Sequence, residues 1–194
     1  MNGFERRRAQ KKKDILEAAL VLFMEYGVQK PSIAEIAQKA GVSQVTIYNY
    51  FESKHNLAHE VFLYYLDKMS EEFKEILLSE LDFPEKVKRL IFRKKEAAQE
   101  MHEDLYLYIM REYTTSPGHL REIFQEKTLP NLFSLFNQGK EQGYVDPNLS
   151  NEAILFFMHA LYEYLQREEV YSNVLPMTED IMKLIFYGIA GKRE

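Results

Sequence analysis

Apolar residues recur at three- and four-residue spacing along almost the whole chain, and strand-like alternation is scarce. That pattern predicts an all-α protein. From Lys11 to Tyr26 the positions Ile15, Ala18, Ala19, Leu22, Phe23 and Tyr26 fall on one stripe, and Gly27 supplies the stop. A short helix is predicted next, in "PSIAEIAQKAGVS". Ser32 and Glu35 have capping-box spacing, Ile33, Ile36, Ala37 and Ala40 form a buried face, and Gly41 ends the helix. Ser43 then stands where it can cap a third helix. Two short helices joined by a tight turn containing glycine form the helix-turn-helix pattern, and the alanines allow close approach.

The third helix divides cleanly on a wheel of ~100° per residue. Ile47, Phe51 and Tyr50 are its inward candidates; Val45, Tyr48 and Asn49 lie opposite, with Gln44 and Thr46 on the flanks. The outward face offers amide, hydroxyl and methyl groups and no acid. Asn and Gln can bond both N6 and N7 of adenine, and valine or a threonine methyl can pack on the thymine methyl. Tyrosine hydroxyls, and Lys54 at the start of the next helix, can hold phosphates and fix register without reading sequence. The competing reading is a helical corner inside a bundle.

Downstream, Ser53 can cap a long helix to about Ser79, with Ala58, Val61, Phe62, Tyr65, Leu66, Met69 and Phe73 as its stripe. Further helices are expected at 84–101, 103–115, 118–142, 150–171 and 178–190. The separators "TTSPG", "QGYVDPNLS" and "VYSNVLPMT" have turn composition. The segments Ala153–Tyr164 and 181–190 are apolar almost all round, which one chain rarely buries by itself. A symmetric pairing of these helices with a second copy would cover them.

Charge changes the picture. The net value of −5 argues against a nucleic-acid partner. Residues 1–56 nevertheless carry +3 and the remainder −8, and Arg6, Arg7, Arg8, Lys11, Lys12 and Lys13 form a run near the start. A basic head on an acidic body points to a polyanion partner for the head, with the basic run as an arm along the phosphate backbone. The chain has no cysteine, which excludes disulfides, zinc-thiolate sites and thiol nucleophiles and fits a reducing compartment. No apolar run approaches the ~20 residues of a membrane span, and no apolar core follows the basic start. The expectation is a soluble, cytoplasmic protein.

Residues 84–171 are rich in aromatics and methionine. Phe92, Tyr106, Met110, Tyr113, Phe124, Phe136, Phe157 and Tyr162 are candidates to line an apolar effector pocket, with plain core packing as the alternative. His55 and His59 are four apart but have no third ligand placed by sequence. No nucleophile elbow, phosphate loop or dinucleotide fingerprint appears. Neither metal, cofactor nor catalysis is expected.

The segment "SIAEIAQKAGVSQVTIYNYFESKHNL" resembles the DNA-binding domain of the tetracycline-repressor (TetR) family of bacterial transcription regulators. The likeness lies in the hydroxyl residue and acid opening helix two, the "IAxxAGVS" corner, and "TIYNYFxSK" leading into helix four. A weaker likeness, "NQGKEQGYVDPNLSNEAILFFMHAL", resembles the turn before the family's dimerisation helices. Asn56 stands where relatives usually carry an acid in the helix-four cap, and Ser32 replaces a more usual threonine. The resemblance implies DNA contacts from Ser32, Gln44, Val45, Thr46, Tyr48, Asn49, Tyr50 and Lys54. It further implies a helix-turn-helix domain over 1–56, a helical effector and dimerisation domain over 57–194, and a homodimer on a palindromic double-stranded operator. A small, largely apolar effector would release it. The competing class is a helical scaffold or an enzyme whose basic N-terminus is a solvated tail.

Overall fold

The structure is a computed structural model and describes residues 2–115, 126, 128–165, 170 and 175–189. Its regular elements there are helical: α1 (Gly3–Tyr26), α2 (Ile33–Ala40), α3 (Gln44–Phe51), α4 (Lys54–Leu78), α5 (Phe83–Glu100), α6 (Glu103–Thr115), α7 (Leu129–Glu141), α8 (Asn151–Leu165), a 3-10 turn (Leu175–Met177) and α9 (Thr178–Ile189). The all-α expectation holds, with an N-terminal helix-turn-helix followed by a helical C-terminal region. The helix expected over 118–142 is described as α7, and the residues before it lie largely outside the described set.

α1 departs from the sequence reading at its start. It begins at Gly3 instead of Lys11, because Asn2 and Glu5 close a capping box. The Asn2 side chain accepts from the Phe4 and Glu5 amides, and the Glu5 carboxylate accepts from the Asn2 amide at 2.8 Å. Two orphan donors are thereby satisfied, and the helix is nucleated ahead of any apolar stripe. The basic run is therefore part of a helix and not an extended arm.

The chain divides into two compact units. The first comprises Met1–Met69 with Glu100–Pro117. In it α1 packs on α2 and α6, and α2 on α3. Ile15, Ala19, Phe23, Ile36, Ile47, Phe51, Leu57, Val61 and Phe62 are all buried there. The second unit, Ser70–Gln99 with Gly118–Glu194, has its own core. Leu77, Phe83, Val87, Leu135, Phe136, Val145, Ile154 and Phe186 pack together in it.

One buried charge shapes the second unit. The Lys86 ammonium donates to the Leu77 carbonyl at 2.7 Å and to Gln138 Oε1 at 2.9 Å. A cation at the C-terminal carbonyls of α4 opposes the negative end of that helix. Gln138 in turn donates to the Leu81 carbonyl, and Gln142 accepts from the Phe83 amide. The turn between α4 and α5 is thus pinned to α7 by side chains from one face of that helix.

Candidate nucleic-acid interface

The corner is built by its caps. The Ser32 hydroxyl accepts from the Glu35 amide and donates to the Glu35 carboxylate, which also takes the Ser32 amide. Those bonds, the Ser32 hydroxyl's first and its amide's next, hold the Glu35 carboxyl below the usual range. Gly41 ends α2 at φ 65°, a left-handed conformation that glycine adopts without steric cost. Its amide and that of Val42 return to carbonyls of α2. Ser43 then caps α3 by accepting from the Thr46 amide at 3.1 Å.

α3 leaves by an equally tight route. Glu52 sits at φ 64°, ψ −38°, and the Ser53 amide donates to the Phe51 carbonyl at 2.7 Å. This is the rarer, strained form of γ-turn, in a residue other than glycine. It lets α4 begin immediately, with Ser53 Oγ accepting from the Asn56 amide. The Ser53 half of the helix-four cap is therefore present, and the Ser53 amide is taken by the Phe51 carbonyl.

With the ends fixed, burial decides which side chains face out. Ile47 and Phe51 are buried and Tyr50 half-buried, as the wheel predicts. Val45 and Tyr48 are 66% and 48% exposed, and Gln44 and Asn49 are exposed as well.

The eight candidate contacts fall into two groups. Ser32, Thr46, Tyr50 and Lys54 already have partners within the chain. Ser32 is in its capping box, and Thr46 shares a hydrogen bond of 2.9 Å with Ser43. The Tyr50 hydroxyl donates to the Arg8 carbonyl at 3.3 Å. The Lys54 ammonium donates to the Gln29 carbonyl at 2.6 Å. Burial lowers the Lys54 pKa, and the nearby Asp104 and Glu35 carboxylates oppose that shift. Gln44, Val45, Tyr48 and Asn49, in contrast, present hydrogen-bonding and apolar groups outward from one helix.

Sequence reasoning did not reach the residues that fix this corner from α6. Asp104 Oδ2 accepts from the Val28 amide at 2.6 Å and the Gln29 amide at 3.2 Å, and the His102 amide donates to the Met24 carbonyl. The carbonyl that holds Lys54 thus belongs to a residue held by Asp104. Gly27 carried the available signal: at φ 80°, an added Cβ would lie 2.7 Å from Asp104 Oδ2. A glycine stop at that point meant close approach of another segment as well as a helix end.

The two histidines on α4 have different surroundings. His59 Nδ1 lies 2.7 Å from the nearly buried Glu112 carboxylate on α6, while His55 is exposed. Of the pocket candidates, Phe136 is in the second unit's core, Phe92 and Phe157 are exposed, and Tyr106 is half-buried. Burial pushes the Tyr106 hydroxyl pKa upward. The side chains of Met110, Tyr113, Phe124 and Tyr162 lie outside the described residues.

Residues 15–61 match the family described as bacterial regulatory proteins, tetR family. The chain is 27% identical over 101 residues to the HTH-type transcriptional repressor KstR2 of Rhodococcus jostii, covering 52% of this chain and 50% of that one. It thus spans about half the length of that relative. Against KstR2 of Mycobacterium tuberculosis it is 24% identical over 148 residues, covering 75% and 74%. The fold is that of the transcriptional regulator FadR from Bacillus subtilis in complex with stearoyl-CoA, with a TM-score of 0.58 at 20% identity over 91% of this chain and 98% of that one. The helix-turn-helix segment of this chain thus matches the tetR family of bacterial regulatory proteins, and its fold is shared with the solved regulator.

Proposed function

We propose that this protein is a ligand-responsive transcriptional regulator, of the repressor kind, that binds a palindromic operator as a homodimer. The observation that carries the reading is the outward face of α3. Gln44, Val45, Tyr48 and Asn49 stand exposed on a helix whose ends are capped by Ser43 and turned by Glu52. Gln44 and Asn49 are the base readers, and Tyr48 and Lys54 hold phosphate. Ser32, Thr46 and Tyr50 complete the contact surface at its edges. Two copies of α3 would enter successive major grooves ~34 Å apart.

The dimer is supported by α8 and α9. Phe156 is 78% exposed and Leu184 71%, with Phe157 and Tyr187 also exposed. Large apolar side chains left bare on two neighbouring elements of the sequence call for a protein partner, and a two-fold copy supplies one. The division of labour places DNA recognition in 1–56 and effector binding with dimerisation in 57–194.

The effector is a small, largely apolar molecule, received among the aromatic residues of the body. It acts only by as much as it prefers the DNA-incompetent state, and a full switch needs about 5.5 kcal/mol of differential binding. Stearoyl-CoA, which the Bacillus subtilis neighbour binds, is a suitable first probe in a thermal-shift assay. Selection from random duplexes tests the reading as a whole. Enrichment of a palindrome supports the regulator. Binding that vanishes at physiological salt with no enriched site supports a scaffold with a solvated basic tail.

A further inference from the structure

The first turns of α1 are a feature that helix-turn-helix recognition does not require. Residues 2–11 are exposed throughout, so tertiary packing does not hold them. The Asn2–Glu5 capping box and the Gln10–Asp14 hydrogen bond keep them helical. Their cations differ in how they are compensated. Lys12 is paired with Glu60 at 2.9 Å, and Lys13 lies 3.7 Å from Glu17. Arg6, Arg7, Arg8 and Lys11 have no carboxylate partner among the described residues.

Three of those four cations share a groove with the recognition helix. A cleft of about 370 Å³ is lined by Phe4, Arg7, Arg8, Lys11, Asn49 and Tyr50. Phe4, Arg8 and Lys11 follow one another at helical spacing, so they occupy one face of α1. Tyr50 ties the two walls together: its hydroxyl donates to the Arg8 carbonyl, and the Arg8 guanidinium lies 5.9 Å from its ring centroid. No carboxylate lines the cleft, and the positive end of the α1 dipole lies at the same end of the helix.

We propose that this cleft is a second phosphate-binding surface, which grips the backbone of the operator duplex outside the bases that α3 reads. The inference rests on the DNA-binding reading above and deepens it. Asn49 is common to the recognition face and the cleft, so a duplex seated on α3 continues directly onto Arg7, Arg8 and Lys11. A rigid helix presents these cations at fixed spacing, whereas an extended arm would have to be ordered on binding. Tyr50 becomes a positioning residue that sets the cleft width, because its only hydroxyl proton is committed to Arg8. Phe4, two-thirds exposed at the outer end, offers an apolar face to the sugars.

The test uses the full chain and its own selected operator, once with several flanking base pairs on each side and once trimmed to the palindrome. Affinity is measured by fluorescence anisotropy over a range of salt concentrations. Each phosphate neutralised contributes about 0.9 to the salt slope. The combined variant R7Q/R8Q/K11Q should therefore lose about 2.7 per protomer on the long duplex. It should keep its preference for the selected site and be indifferent to trimming, which flattens the wild-type slope. K74Q/K88Q/R89Q, a charge-matched control at exposed residues of the other unit, should behave as wild type. The substituted residues are exposed, so an unchanged circular-dichroism melt certifies the fold. A wild-type slope in the triple variant, or equal sensitivity of both proteins to trimming, overturns the cleft while leaving the regulator intact. If the wild-type chain enriches no duplex, the regulator reading fails and the cleft falls with it.

Discussion

Two surfaces of this protein leave large side chains exposed, and they do so in opposite chemical styles. On α3 the bare residues are Gln44, Val45, Tyr48 and Asn49; on α8 and α9 they are Phe156, Phe157, Leu184 and Tyr187. Exposure is common to both, so exposure alone does not name a partner. The chemistry of the exposed atoms does. Amide groups and a phenol can replace the hydrogen bonds that base edges and phosphates make with water. Phenylalanine and leucine have nothing to offer a nucleic acid groove but gain about 25 cal/mol per Å² when another apolar surface covers them.

The apolar side of that contrast breaks most severely. Leu184→Glu would place a charge in the proposed dimer contact, an arrangement that costs several kcal/mol. The expected result is a monomer at micromolar concentration by sedimentation, and operator affinity down by about a hundredfold or more, since a single head loses its symmetric partner. A dimer that survives this substitution with full operator affinity would remove α9 from the interface.

The polar side should break more gently and more selectively. Asn49→Ala and Gln44→Ala are each expected to cost about 1–3 kcal/mol, confined to one operator position, in a binding assay across single-base variants. A uniform loss across all variants would instead place that residue on the backbone. Lys54→Ala makes the opposite pattern: weaker binding to every sequence alike and a salt slope reduced by about 1. Because the Lys54 ammonium is donated to the Gln29 carbonyl in the free protein, this variant also tests whether one of its remaining protons reaches a phosphate.

The scaffold beneath the polar face supplies the smallest effects. Ser43→Ala removes the α3 cap and should cost about 1 kcal/mol in thermal or urea unfolding. Glu35 adds a pH dependence whose sign follows from its lowered pKa. A depressed carboxylate contributes stability above its unfolded value, and that contribution is lost as pH falls through the folded one. Glu35→Gln should therefore lower stability slightly at neutral pH, leave it little changed below the folded pKa, and so flatten the acid limb of the profile.

Much of this molecule was legible from local patterns. The capping box at Ser32 and Glu35, the stop at Gly41, the cap at Ser43 and the inward placement of Ile47 and Phe51 all depend on residues within a turn or two of one another. Their geometry follows from helical period and from the hydrogen-bonding capacity of short polar side chains. The start of α1 is written locally too, in Asn2 and Glu5, well ahead of the apolar stripe that marks the buried part of the helix.

What the sequence by itself determined was the helical fold class, the corner, and the set of side chains that leave it. What only tertiary structure decided was which of those side chains are still free. Tyr50 meets Arg8 across 42 positions, Lys54 meets Gln29 across 25, and Asp104 meets Val28 across 76. No periodicity encodes such pairings, because each depends on where whole helices pack and not on the angle between successive residues. The same packing separates the cations of α1, with Lys12 paired to Glu60 and three others gathered beside Asn49 and Tyr50. Local hydrogen bonding writes the corner; long-range packing assigns its working parts.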